Sequence, residues 1–231
     1  MPSILLIETA TDICSIAVAT DGAVVSHRST GRSYSHSEVI TVFIEECLAE
    51  AELQPADLAA VAVTSGPGSY TALRIGASTA KGLCYGLDIP LISVDTMRSM
   101  AMGVRDSGVV ADGDIIIPLL DARRMEVYRT VYDADLREIE QVAPIILDGE
   151  SFAAYQGGTT VHLCGDGAEK SKDVLRLTNT KYHEIECSAT YMVSEAFAKL
   201  EAGELEDIAY FTPFYFKAPN ITVQKKNILL R

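Results

Sequence analysis

No apolar run in this chain of 231 residues approaches the ~20 residues that a membrane-crossing helix needs. The longer ones, such as Ile115 to Leu120, have the length of a strand. The opening MPSILLIETATD has neither a cationic segment nor a long apolar core, so no secretory signal and a cytoplasmic location are expected. Basic residues are scarce: 19 Lys and Arg stand against 32 Asp and Glu, a net charge of -13. A surface of that sign repels phosphate backbones, which argues against broad direct contact with nucleic acid. The one basic cluster, Lys217, Lys225, Lys226 and Arg231, reads as a solvated tail. Cysteine is sparse and unpaired. Cys14, Cys47, Cys84, Cys164 and Cys187 are odd in number and form no C-x-x-C, so they are expected as small buried apolar residues in a reducing compartment. The histidines, His27, His36, His162 and His183, make no H-x-x-x-H or H-E-x-x-H, so the sequence offers no zinc or iron site. There is no G-x-S-x-G elbow, and Ser69 has no evident base, which weighs against a serine nucleophile.

What is present is enough apolar material, 48%, to bury a core. Ile4 to Ile7 is a short apolar run ending in Glu8-Thr9-Ala10-Thr11, and Ile13, Ile16 and Val18 lead to Asp21-Gly22. Asp-Gly between apolar runs predicts a tight hairpin turn, so with Val24 and Val25 the chain opens as a three-stranded meander. Ser35-His36-Ser37-Glu38 fits a capping box. Val39, Ile40, Phe43, Ile44, Cys47, Leu48 and Ala51 then recur at helical spacing, up to a stop before Pro55. Leu58 to Val63 predicts a buried strand, about Thr71 to Tyr85 a second helix, and Ile89 to Val94 another strand.

The second half repeats this order. Ile115 to Leu120 ends in Asp121-Ala122-Arg123, and a strand follows that turns at Asp133-Ala134-Asp135. Val161 to Cys164 runs into Gly165-Asp166-Gly167-Ala168. Tyr191 to Gly203 predicts a helix, and Glu204 to Tyr210 a further short one. Two similar halves, with Glu8 matching Asp121, suggest a duplicated α/β domain.

Three segments could carry chemistry. GPGSYTALRIG, Gly66 to Gly76, sits where a strand meets a helix. Glycines there let backbone N–H groups approach an anion. The segment matches neither the P-loop nor G-x-G-x-x-G, and a tight turn capped by Ser69 accounts for it equally. In the helix after it, Ala72, Gly76 and Ala80 form a small-residue stripe flanked by Leu73, Ile75, Leu83 and Tyr85, against which another helix can pack closely. That partner is either the helix beginning at Ser35 or a helix of another subunit. The third segment is the acidic pair Glu8 and Asp12, with Asp121 and Asp166 as counterparts; acids at strand ends can hold magnesium or simply end a strand.

The opening ILLIETATDICSIAVA, the His36-Ser37-Glu38 triplet, the GPGSYTALRIG block and Asp121-Ala122-Arg123 resemble the TsaB (YeaZ) family. The likeness is good over about the first 125 residues and looser through Gly165–Ala168 and Pro213-Phe214-Tyr215-Phe216. The family usually has Gly where this chain has Ala72. The resemblance implies an α/β actin/Hsp70-like (ASKHA) fold of two RNase-H-like halves, residues 1–105 and 106–231, with the last helix packing back on the first half. It also implies a non-catalytic subunit of tRNA threonylcarbamoyladenosine biosynthesis, working with a TsaD-like transferase and a TsaE-like ATPase. On its own such a subunit would be a homodimer with little direct tRNA contact. The expected interface is Ser35, His36, Glu38, Val39, Phe43, Cys47, Ala72, Leu73, Gly76, Ala80 and Leu83. No cofactor is expected to be required by the chain alone. ATP or ADP is a candidate at a shared interface, near Glu8, Thr9, Asp12, Gly66, Gly68 and Ser69. The alternative reading is an actin-like ATPase or phosphotransferase built on those last residues, and a metallopeptidase is the weakest.

Overall fold

The computed structural model describes residues 1–31 and 35–216. The basic cluster Lys217, Lys225, Lys226 and Arg231 lies outside the described residues.

The apolar run at the start forms β1 (Ser3–Glu8), buried along its whole length. It lies between β2 (Ser15–Thr20), antiparallel to it, and β4 (Ala60–Thr64), parallel to it. A central strand covered on both faces needs apolar residues at every position, which is why this stretch does not alternate. β3 (Ala23–Ser29) and β5 (Leu91–Val94) complete the order β3-β2-β1-β4-β5. The β2–β3 turn has both Asp21 (φ 51°) and Gly22 (φ 79°) in the left-handed region, as a tight hairpin requires.

The pleat sorts the side chains. Leu5, Ile7, Ile16, Val18, Val61 and Val63 face α1 (His36–Glu50) and α2 (Tyr70–Leu87). Ile4, Leu6, Ala17, Ala19, Ala60 and Ala62 face the other way, onto the 3-10 turn Ala189–Met192 and the C-terminal helix Val193–Ala202. The four alanines on that face give the C-terminal helix room to approach.

A second sheet repeats the topology. β6 (Ile115–Asp121) is antiparallel to β7 (Glu126–Asp133) and parallel to β9 (Val161–Cys164). β8 (Glu138–Ile146) and β10 (Thr180–His183) form its edges, giving the order β10-β9-β6-β7-β8. These are the two RNase-H-like halves of an actin-like α/β fold. Helix α3 (Thr96–Asp106) follows β5 yet packs on the second sheet, with Met97, Met100 and Val104 against Ile116, Leu120 and Tyr132. A single turn, α4 (Ala168–Ser171), follows β9, and Val193–Ala202 is α5. Each half therefore sends a helix across: α3 covers the second sheet and α5 the first. Arg98 on α3 ties them, pairing with Glu195 on α5 and donating to the Leu136 carbonyl at 2.8 Å.

Two local expectations are corrected. Ser35 stands at the N-cap of α1, but its hydroxyl bonds Ser37 Oγ (2.8 Å) and caps no backbone N–H, so the capping box is not made. Glu204 to Tyr210 is not a helix. Glu206 instead forms an isolated bridge with Leu91, extending the edge of the first sheet.

Candidate functional site

The carboxyl ends of β1 and β4 bring Glu8, Thr9 and the Gly66–Ser69 loop together. Glu8 is fully buried. Its Oε1 accepts from the Ala10 N–H (2.6 Å) and the Thr64 hydroxyl (3.2 Å), while Oε2 has no partner among the described residues. Burial pushes this carboxyl up to about 7, against the lowering effect of those hydrogen bonds. Asp95, which caps α3 by accepting from Arg98 N–H at 2.8 Å, is pushed up to about 6, again by burial. Asp12, by contrast, is exposed and stands apart from this buried acid.

The glycine loop is closed by its own chain. A Cβ on Gly68 would lie 2.5 Å from the Ala10 carbonyl oxygen, and one on Gly66 would lie 2.7 Å from the Phe214 oxygen. Ser69 N–H donates to Ala10 O at 2.7 Å, and the Ser69 hydroxyl makes no cap bond. Gly66 is thus covered by the segment carrying Phe214 and Gly68 is pressed against Ala10, while Ser69 is exposed. Among the described residues no group of three His, Cys, Asp or Glu could hold a metal ion. The Asp121 end of β6 is different. Its carboxylate accepts from Arg123 N–H (2.5 Å) and Lys170 Nζ (2.9 Å) at the surface.

The small-residue stripe of α2 turns inward. Ala72, Gly76 and Ala80 are buried on the chain's own first sheet, as are Leu73 and, on α1, Cys47. Gly76 presses on Thr9: a Cβ there would meet Thr9 Oγ1 at 2.3 Å. Of the other predicted interface residues, His36, Val39, Phe43 and Leu83 are half-buried, and Ser35 and Glu38 are exposed.

The outward faces of the same two helices form a groove of about 520 Å³, lined by Ser37, Ile40, Thr41, Tyr70, Thr71, Arg74, Ile75, Ser78 and Thr79. Arg74 lies 5.4 Å from the centre of the Tyr70 ring and donates to its hydroxyl at 3.2 Å. Further along α2, Tyr85 is 84% exposed. Ile75 and Tyr85 were read as apolar flanks of the stripe, whereas Tyr70, Arg74, Ser78 and Thr79 were missed because the apolar pattern points to the inner face. The available signal was aromatic and cationic side chains, Tyr70, Arg74 and Tyr85, on the polar side of an amphipathic helix.

A family model described as TsaD, tRNA N6-adenosine threonylcarbamoyltransferase, matches residues 30–221. The chain belongs to this family. Its resemblance is to the TsaB (YeaZ) members. TsaB of Bacillus subtilis is 34% identical over 142 residues, covering 62% of this chain and 60% of that protein. TsaB of Escherichia coli is 36% identical over 133 residues, covering 57% and 55%. The chain thus matches somewhat over half the length of these curated relatives. Two Pseudomonas aeruginosa structures share the fold. YeaZ is 23% identical with a TM-score of 0.77, covering 93% of this chain and 100% of that one. A protein described as similar to the peptidase YeaZ is 22% identical with a TM-score of 0.79, covering 94% and 100%. The groove on α1 and α2 is open at the surface, whereas the Glu8 carboxyl is internal.

Proposed function

We propose that this chain is a non-catalytic subunit in the biosynthesis of threonylcarbamoyladenosine in tRNA, docking a TsaD-like threonylcarbamoyltransferase through the outward faces of α1 and α2. The observation that carries this reading is the groove. It is an exposed surface with an aromatic and cationic centre, Tyr70 and Arg74, on two helices whose inner faces are fully used by their own core. Aromatic residues and Arg are the types enriched at protein interfaces. The names of the curated relatives supply the pathway. In this reading a TsaE-like ATPase completes the set, and the chain pairs with itself through the same groove when the transferase is absent. Its acidic surface keeps it from making broad tRNA contacts. The chain alone needs no nucleotide, and ATP or ADP belongs where a partner completes a shared site.

The test is a tRNA modification assay. The purified chain with tRNA and threonylcarbamoyl donor is expected to give no product. Product should form when the TsaD-like and TsaE-like proteins are added, and fall when this chain is left out. Transfer by the chain alone would refute the reading.

A further inference from the structure

After α5 the chain returns along the edge of the first sheet and crosses to the second as an extended segment. Lys81 Nζ on α2 donates to the carbonyls of Ala209 (3.2 Å) and Phe211 (3.1 Å). Phe214 N–H donates to Ser65 O at 2.7 Å. The Tyr215 ring sits 4.8 Å from Tyr70, the first residue of α2. Phe216 then packs edge-on against Phe214 and lies 5.5 Å from Tyr128 of β7. Ser65 follows the end of β4, and Tyr128 pairs with Leu120 at the end of β6. The segment therefore spans the two sheets at the carboxyl ends of their parallel strands, the side on which open α/β sheets take ligands.

We propose that residues 212–216, which follow the buried anchor Phe211, are a releasable strap that closes this side of the molecule. Beyond Phe211, which is buried in the core of the first half, the attachment is light: the Phe214 N–H bond to Ser65 O, the buried Pro213 and a few ring contacts, with Phe214 47% and Phe216 37% exposed. The sheets beneath it are held by continuous ladders. Segments with few buried contacts open at lower free energy than the core around them. The fit is nonetheless specific, because Gly66 leaves the space that the Phe214 carbonyl fills, 2.7 Å from any Cβ there. Release would uncover Gly66, which is buried beneath the Phe214 carbonyl, and free the Tyr70 ring at the start of α2 from Tyr215, without disturbing either sheet.

Amide hydrogen exchange, resolved by NMR on the full chain, tests this. The Phe214 amide reports the strap, and the fully buried Leu6 amide in β1 reports global opening. In the wild type, Phe214 is expected to exchange faster than Leu6. Phe216→Ala and Tyr128→Ala should each speed Phe214 exchange by about tenfold, the size of one ring contact, and leave Leu6 unchanged. The double variant should add little to either single one. If Phe214 and Leu6 exchange together in the wild type, or if the variants speed both equally or neither, the strap does not open as a unit and the proposal fails.

Discussion

Glu8 ends a central strand with a carboxyl group that water cannot reach, and one of its oxygens has no partner among the described residues. Burial raises its pKa from 4.5 to about 7. A group raised in the folded state stabilises the fold fully below its unfolded value. That contribution is lost as pH rises through about 7. The interval corresponds to roughly 3 kcal/mol. Glu8→Gln keeps the acceptor for Ala10 and Thr64 and removes the charge. Urea unfolding should show the variant gaining on the wild type by about 1–3 kcal/mol between pH 5 and pH 8. Parallel stability profiles would mean that Glu8 does not titrate in that window. Gly76 gives a second residue-scale prediction. Alanine is the better helix former by about 1 kcal/mol, yet a Cβ would strike Thr9 Oγ1. Gly76→Ala should therefore destabilise by about 1–3 kcal/mol. Adding Thr9→Ala should recover part of the loss, a non-additivity that a double-mutant cycle measures. Full additivity would place the clash elsewhere.

Elements were legible where the apolar pattern is regular, either continuous as in β1, β4 and β6 or on one face as in α1. The 3-4 spacing from Val39 to Ala51 located α1, and Asp21-Gly22 located the first hairpin. The edge strands β8 and β10 were not anticipated, because their burial is partial and irregular. Helix α3 was missed although Met97, Met100, Ala101 and Val104 recur at the three- and four-residue spacing of a helix. It is enclosed between the second sheet and the Ala189–Met192 turn, and eight of its residues, Thr96, Met97, Ser99 through Val104 without a gap, are buried. The caps also separate sequence from structure. Ser35 has the right residue type and makes no cap bond, while Asp95 accepts from Arg98 N–H. Ser35→Ala should thus cost less than about 0.5 kcal/mol and Asp95→Ala about 1–2 kcal/mol, as read by thermal or urea unfolding. Equal costs would contradict the cap geometry.

At the scale of the whole molecule, duplication was readable from Glu8 and Asp121, each the last residue of its strand. The crossing of α3 and α5 between the halves was less so, since element order does not say which sheet a helix covers. The site divides in the same way. The sequence pointed to α1 and α2, and the most regular pattern on them, Ala72, Gly76 and Ala80, is buried within the chain itself. A docking surface is read from what remains outside, and outward polar residues carry no periodic signal. The central claim is that the outer face of α1 and α2 binds the transferase, and its most direct test is the mass of the mixture by light scattering. With a TsaD-like subunit of the same organism, the wild-type chain should give a one-to-one complex. Arg74→Glu, on the exposed face and away from the core, should weaken that complex by about tenfold or more while leaving the thermal unfolding midpoint unchanged. A complex of full strength with Arg74→Glu and with Tyr70→Ala, or no complex with the wild type, would contradict the account.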